Sequence, residues 1–204
     1  MPIRSLVPAL LLSALAASSV VGQERRPIAV EDVFRIAGVS SPVVSPDGRR
    51  VAYVVSTRDL EGNSSRSDVW ALSLDDDEPR RMTSGEASAS SPAFSPDGRY
   101  LSFLTTRGDD ARRQVWALDL RGGEAQPLTD VEQGVSSYVW APGSDRLALL
   151  IRDPAPEREE GKPRSPWVVD RLQFKQDYTG YLDRRRTHLF VYDLAEKSLL
   201  RLTE

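Results

Sequence analysis

The sequence has 204 residues, with 27 Lys and Arg against 30 Asp and Glu, a net charge of −3, one His and no Cys. The missing Cys excludes a disulfide framework, a thiolate zinc site and a Cys nucleophile, and a single His excludes multi-histidine metal centres. A slightly acidic chain that is 40% hydrophobic is globular in composition and carries no broad basic surface for nucleic acid.

The chain opens with a short positive start at residues 1–4 and an apolar run over residues 6–17. Small residues follow, with Val20-Val21-Gly22 just before Gln23. This order predicts a secretory signal peptide over residues 1–22. The apolar run is short of the roughly 20 residues that span a bilayer, so no stable membrane insertion is expected after cleavage. Export without Cys points to a bacterial periplasmic or secreted protein that relies on its core. Residues 23–38 read as an N-terminal lead.

The rest of the chain repeats itself. Ser45-Pro46-Asp47-Gly48 and Ser95-Pro96-Asp97-Gly98 recur more loosely as Ala141-Pro142-Gly143-Ser144. In this motif Pro presets the first turn position, Asp bonds nearby backbone, and Gly supplies the positive φ that closes a hairpin. Alternating apolar residues follow each time: Val51, Tyr53 and Val55; Leu101, Phe103 and Thr105; Leu147, Leu149 and Ile151. A period of two in β-branched and aromatic residues predicts strands. Their intervening positions are often apolar too, which predicts strands covered on both faces.

A third piece follows in each unit, with Trp70, Trp116 and Phe190 at matching places. A fourth ends in Met82-Thr83, Leu128-Thr129 and Leu202-Thr203. A unit of roughly 46–50 residues with four strands is the pattern of a β-propeller blade. The predicted fold is all-β: a partial β-propeller of about three four-stranded blades of the WD40-like, PD40 kind. The blades are expected over residues 39–83, 89–129 and 135–204, with an insertion at 153–187. Closed propellers need four to eight blades. Three blades leave open faces, so the expectation is either the front part of a longer protein or self-association that closes the ring.

The insertion starts as a polar, Pro-rich stretch and continues through Trp167-Val168-Val169-Asp170-Arg171-Leu172-Gln173-Phe174-Lys175-Gln176-Asp177 to Gly180-Tyr181-Leu182-Asp183 and Arg184-Arg185-Arg186. Apolar and charged residues mix tightly there, which suits a strand or hairpin laid over the propeller with its charges paired. This segment, with His188-Leu189-Phe190-Val191-Tyr192-Asp193-Leu194 behind it, closely resembles the propeller of S9, prolyl oligopeptidase-like serine peptidases. The likeness is strongest to their acylaminoacyl-peptidase and dipeptidyl-peptidase-like bacterial members. It covers about residues 28–204, and its Ser-Pro-Asp-Gly turns occur also in TolB-like periplasmic propellers.

The resemblance implies an N-terminal propeller that gates peptide access to a C-terminal α/β-hydrolase domain, with peptide substrates met through that domain. The sequence has no Gly-x-Ser-x-Gly turn, so no catalytic residue is assigned within it. Substrate-binding residues stay unassigned, and no cofactor or metal is expected. A TolB-like protein-binding scaffold is the alternative.

Other candidates have plainer readings. His188 matches the repeat positions of Asp68 and Gln114 and is read as structural. Glu159-Glu160, which could meet a peptide amino terminus, reads as a solvated charge run. The arginines at 184–186 sit in an insertion with nine Lys and Arg against seven Asp and Glu from residue 152 to 187, which reads as a salt-linked surface. Asp75-Asp76-Asp77-Glu78 lacks the spaced ligands of a calcium loop. Trp70, Trp116, Trp140 and Trp167 could stack on sugars, but repeat register places the first two in the core.

Overall fold

The computed structural model describes residues 26–75, 78–107, 112–155, 169, 172–177 and 180–204. The predicted leader, residues 1–22, lies outside them. The lead contains one short helix, α1 (Asp32–Arg35).

Three four-stranded antiparallel sheets follow, each a blade. The first is β1 (Gly38–Val44), β2 (Arg50–Asp59), β3 (Ser64–Ser73) and β4 (Arg80–Arg81). The second is β5 (Ala89–Phe94), β6 (Tyr100–Thr105), β7 (Gln114–Asp119) and β8 (Gln126–Pro127). The third is β9 (Ser137–Trp140), β10 (Arg146–Arg152), β13 (Thr187–Asp193) and β14 (Leu199–Arg201). Between β10 and β13 the insertion forms its own two-stranded ladder, β11 (Lys175–Gln176) with β12 (Gly180–Tyr181).

The Ser-Pro-Asp-Gly turns join strands one and two of the first two blades. Ser45 Oγ accepts the Arg50 amide at 2.9 Å and donates to Asp47 Oδ1 at 2.5 Å, while Asp47 Oδ1 also accepts the Arg49 amide at 3.0 Å. Ser95, Asp97, Arg99 and Tyr100 repeat the pattern. Gly48 and Gly98 both sit at φ 71, where a side chain is strained. In the third blade that conformation passes to Ser144 at φ 60, not to Gly143. Ser144 is tied into the stack instead: its Oγ accepts the Asp97 amide of the second blade at 3.1 Å.

A second repeated device lies in the first strands. Ser41 and Ser91 both adopt φ 52 at a bulge, each just before a proline, Pro42 and Pro92. The bulge breaks the ladder between Ser40 and Val43, and between Ser90 and Ala93.

Strand pairing fixes which residues share a face. Tyr53 pairs with Trp70, Phe103 with Trp116 and Leu149 with Phe190, so each blade presents a bulky first face. The opposite, second face carries Ala52, Val54 and Val69 in the first blade and Ser102, Leu104 and Val115 in the second. The second face of blade one packs on the first face of blade two, where Phe94, Leu101 and Phe103 are buried with Trp116 beside them. The second face of blade two packs on the first face of blade three, burying Leu104 and Val115 against Trp140, Leu147, Leu149 and Tyr192.

That joint also holds a buried polar knot. Ser102 Oγ accepts from Trp140 Nε1 at 2.8 Å, donates to the Ala93 carbonyl at 2.9 Å and stands 2.8 Å from Tyr138 Oη. Tyr138 Oη donates to the Ser91 carbonyl at the bulge. Burial raises the Tyr138 hydroxyl pKa, against the lowering effect of Ser102, so the phenol stays a donor.

The expectation of strands covered on both faces holds only for the middle blade. All five residues from Leu101 to Thr105 are buried. In β2 burial alternates: Ala52 and Val54 are buried, while Val51, Tyr53 and Val55 are half-exposed. In β10 it alternates in the other phase, with Leu147, Leu149 and Ile151 buried and Leu150 exposed. Trp70 accordingly departs from its expected core role. It lies half-exposed on the first face of blade one, which no blade among the described residues covers.

Candidate functional site

The most concentrated charged chemistry lies where the insertion leaves and rejoins blade three. Its origin is a latch common to all blades. Thr83 Oγ1 accepts the Val69 amide at 3.1 Å and donates to Asp68 Oδ1 at 3.1 Å. Thr129 Oγ1 accepts the Val115 amide at 3.0 Å and donates to Gln114 Oε1 at 2.8 Å. Thr203 Oγ1 accepts the Leu189 amide at 3.0 Å. The threonine that ends each repeat therefore pins the fourth strand to the third.

In blade three the latch position preceding that amide is His188, and its partners differ. His188 is only 4% exposed. Its Nε2 lies 3.0 Å from Asp153 Oδ1, at the start of the insertion. Arg201 Nη2 lies 3.0 Å from the ring nitrogens, on the outermost strand. Asp153 Oδ2 accepts the Arg186 amide at 2.8 Å, and the Asp153 amide donates to the Arg186 carbonyl at 2.8 Å. The Arg186 amide, then the charges of His188 and Arg201, hold the Asp153 carboxyl below the usual carboxylate range, with burial opposing.

A second carboxylate reinforces the first. Asp183 Oδ1 accepts from Arg152 Nη2 at 2.7 Å, and Asp183 Oδ2 from Arg185 Nε at 2.7 Å. Burial works against ionisation of Asp183, but Arg185 and Arg152 outweigh it and lower its pKa. The two ends of the insertion are thus clamped by ion pairs and backbone bonds. Beyond the clamp the hairpin is exposed: Phe174 and Tyr181 stack at 6.2 Å, and Leu172 is fully open to solvent.

This arrangement holds a segment in place. The side-chain partners of His188 are the Asp153 carboxylate and the Arg201 guanidinium. Of the three consecutive arginines, Arg185 is bound by Asp183 and Arg186 engages Asp153 through its backbone. Glu159, Glu160 and Trp167 lie outside the described residues. In the acidic run Asp75 is paired with Arg49 at 2.8 Å, while Asp76 and Asp77 lie outside the described residues. Among the described residues no group of three His, Asp or Glu could hold a metal ion. No helix of the described residues is long and apolar enough to cross a membrane.

Trp140 is a core residue, Trp116 packs between blades one and two with the Arg107 guanidinium 5.6 Å above its ring, and neither presents a free stacking face. A cavity of about 330 Å³ opens between the first two blades, with Met82, Phe94, Leu120, Arg50, Glu78 and Arg80 in its lining. A second, of about 260 Å³, lies between α1 and the tip of the β2–β3 hairpin, with Phe34, Arg58, Asp59 and Asn63 in its lining.

Sequence reading missed the residues that join blades two and three. Ser102 stands where the other blades carry Ala52 and Ala148, and this single polar substitution in the repeat was the available signal.

Four-stranded antiparallel sheets that stack face to face and repeat one hairpin turn define part of a β-propeller. No family model matches the chain. It is 36% identical over 83 residues to the uncharacterized peptidase YuxL of Bacillus subtilis, covering 41% of this chain and 13% of that protein. It is 29% identical over 73 residues to dipeptidyl-peptidase 5 of Porphyromonas gingivalis, covering 36% and 11%. The matches therefore span little more than a tenth of these relatives' length. Among solved structures it is similar to Pyrococcus horikoshii acylaminoacyl peptidase, at 22% identity and a TM-score of 0.65, covering 85% of this chain and 26% of that one. The chain resembles the propeller part of S9-type serine peptidases, as its repeats and insertion predict.

Proposed function

We propose that this chain is the substrate-gating propeller portion of an exported S9-type serine peptidase, acting with an α/β-hydrolase domain that is not within residues 1–204. The observation that carries this reading is the 36% identity to a peptidase over 83 residues. Two features support it. The sequence lacks a Gly-x-Ser-x-Gly nucleophile turn, so the chemistry belongs to another domain. The clamp of Asp153, Asp183 and His188 fixes an exposed arm on the third blade, suited to steering a peptide rather than cutting one.

The decisive experiment is to read the coding DNA beyond codon 204. A frame continuing into a Gly-x-Ser-x-Gly turn with later Asp and His is expected. A frame that stops at once, or adds only repeats, removes the peptidase and leaves a binding scaffold. Export is tested separately by N-terminal sequencing from a bacterial periplasmic fraction, with Gln23 as the expected first residue. Retention of the intact leader in the cytoplasm would overturn it.

A further inference from the structure

The joint between blades one and two buries Val54, Val69, Leu101 and Phe103, but it stays open at the end that carries the Ser-Pro-Asp-Gly turns. The cavity of about 330 Å³ lies there, between two walls that are both present in the chain. Strand pairing builds the first wall. Arg50 pairs with Ser73, Ala52 with Ala71, and Ala71 with Arg80, so all five stand on the second face of blade one. Phe94, paired with Leu101, stands on the first face of blade two and supplies the opposite wall with Leu120. The volume is that of a small ligand pocket, whose range begins at about 300 Å³.

The lining divides by chemistry. Phe94 is buried, and Met82 and Leu120 pack against the same core, so the floor is apolar. The charged members are Arg50, Arg80 and Glu78, a surplus of one positive charge. Arg50 is half-buried, and among the described residues its guanidinium has no hydrogen bond or ion pair; its amide makes the bond to Ser45 Oγ. The carboxylates that feel its charge are Asp47 and Asp75, and each is held first by another group: Asp47 by Ser45 and the Arg49 amide, Asp75 by the Arg49 side chain. A guanidinium in this setting has lost part of its water without gaining an anion. A carboxylate would supply the missing partner through two parallel bonds.

We propose that this cavity binds a small monocarboxylate with an apolar tail, the carboxylate on Arg50 and the tail on Met82, Phe94 and Leu120. The single surplus charge matches one carboxylate, and Glu78 opposes a second negative group. The apolar floor gives a fully hydrated inorganic anion nothing to bury. The same chemistry belongs to the C-terminal end of a peptide with an apolar last residue and to a short fatty acid. The site stands on the cavity between the blades and not on the peptidase reading, so its failure leaves that reading as it is.

The test is calorimetric titration of the intact protein with N-acetylphenylalanine, its uncharged amide and octanoate. At least one of the two carboxylates is expected to bind, and the amide to bind about tenfold more weakly than its acid or not at all. Tighter binding of N-acetylphenylalanine assigns a peptide end as the source, and tighter binding of octanoate a fatty acid. In methyl-labelled protein the Met82 signal, assigned through Met82→Leu, is expected to shift with the bound carboxylate. Arg50→Gln removes an unpaired charge, so the fold is retained, and binding is expected to weaken about tenfold. Ala71→Leu keeps every charge and fills the floor, and it is expected to abolish binding. Near-ultraviolet circular dichroism checks the fold of both variants. The proposal is overturned if neither carboxylate binds, if the amide binds as well as the acid, or if Met82 does not respond. Binding that survives both Arg50→Gln and Ala71→Leu overturns it too.

Discussion

The second blade and its two neighbours share one repeat but differ in which positions are dry. From Leu101 to Thr105 every residue of the middle strand is buried, whereas β2 and β10 bury alternate residues in opposite phases. The strands pair in the same way and carry the same turn chemistry. What differs is the number of neighbours: two for the middle blade and one for each flanking blade. A blade is therefore half a folding unit on each side, and its core is made at the joint and not within the sheet.

The comparison is sharpened most by truncating one repeat position in two blades. Leu104 is buried in a joint, and its counterpart Leu150 is 39% exposed. Leu104→Ala should cost about 2–5 kcal/mol in urea unfolding. Leu150→Ala should cost about 1 kcal/mol or less. Equal costs would break the account of the middle blade.

Next comes the polar knot at the second joint. Ser102→Ala copies what the flanking blades have, yet it strands the Trp140 donor and removes a neighbour of Tyr138. A loss of about 1–3 kcal/mol in the same assay is expected. A neutral or stabilising result would show that the knot adapts to an alanine.

The latch should follow burial. Thr129 is buried and Thr203 is exposed, although both accept a third-strand amide. Thr129→Val should cost about 1 kcal/mol and Thr203→Val a few tenths, read by the shift in urea midpoint.

Acid should give the smallest and broadest effect. Ser95 and the Arg99 amide hold Asp97 below its ordinary value; Arg121 does so for Asp119, and the Arg186 amide for Asp153. Each depressed folded value stabilises the protein above the unfolded carboxylate value, about 3.9, and that stability is lost as pH falls through the folded values. The melting temperature should be level between pH 7 and about 5 and decline below about 4. A decline already complete at pH 6 would assign the loss to another group.

Much of this was legible in the residues. Ser45-Pro46-Asp47-Gly48 announced its turn because Pro, Asp and Gly each have a distinct backbone preference. Tyr53, Trp70 and their counterparts announced strands through period and size. What stayed hidden was whether a given apolar face is covered, because Val51 and Leu147 read alike and differ only in whether a blade precedes them. The bulges stayed hidden for another reason: Ser41 and Ser91 reach positive φ without a glycine to mark it, and only their recurrence before proline hints at it. At the insertion, the mixture of charges predicted pairing, and Asp183 with Arg152 and Arg185 shows how it is met. The hairpin expected at the insertion is present as β11 and β12, with Leu172, Phe174 and Tyr181 exposed.

The clamp at the root of that arm has a consequence for change over time. The Asp153 amide donates to the Arg186 carbonyl and the Arg186 amide to the Asp153 carboxylate, so the blade meets a closed gate of two residues whatever lies between them. The closure entropy of a loop grows only slowly with its length. The arm can therefore lengthen, shorten or be exchanged for another while β10 and β13 keep their register. The third blade is a socket, and its attachment can be rewritten without refolding the wall that holds it.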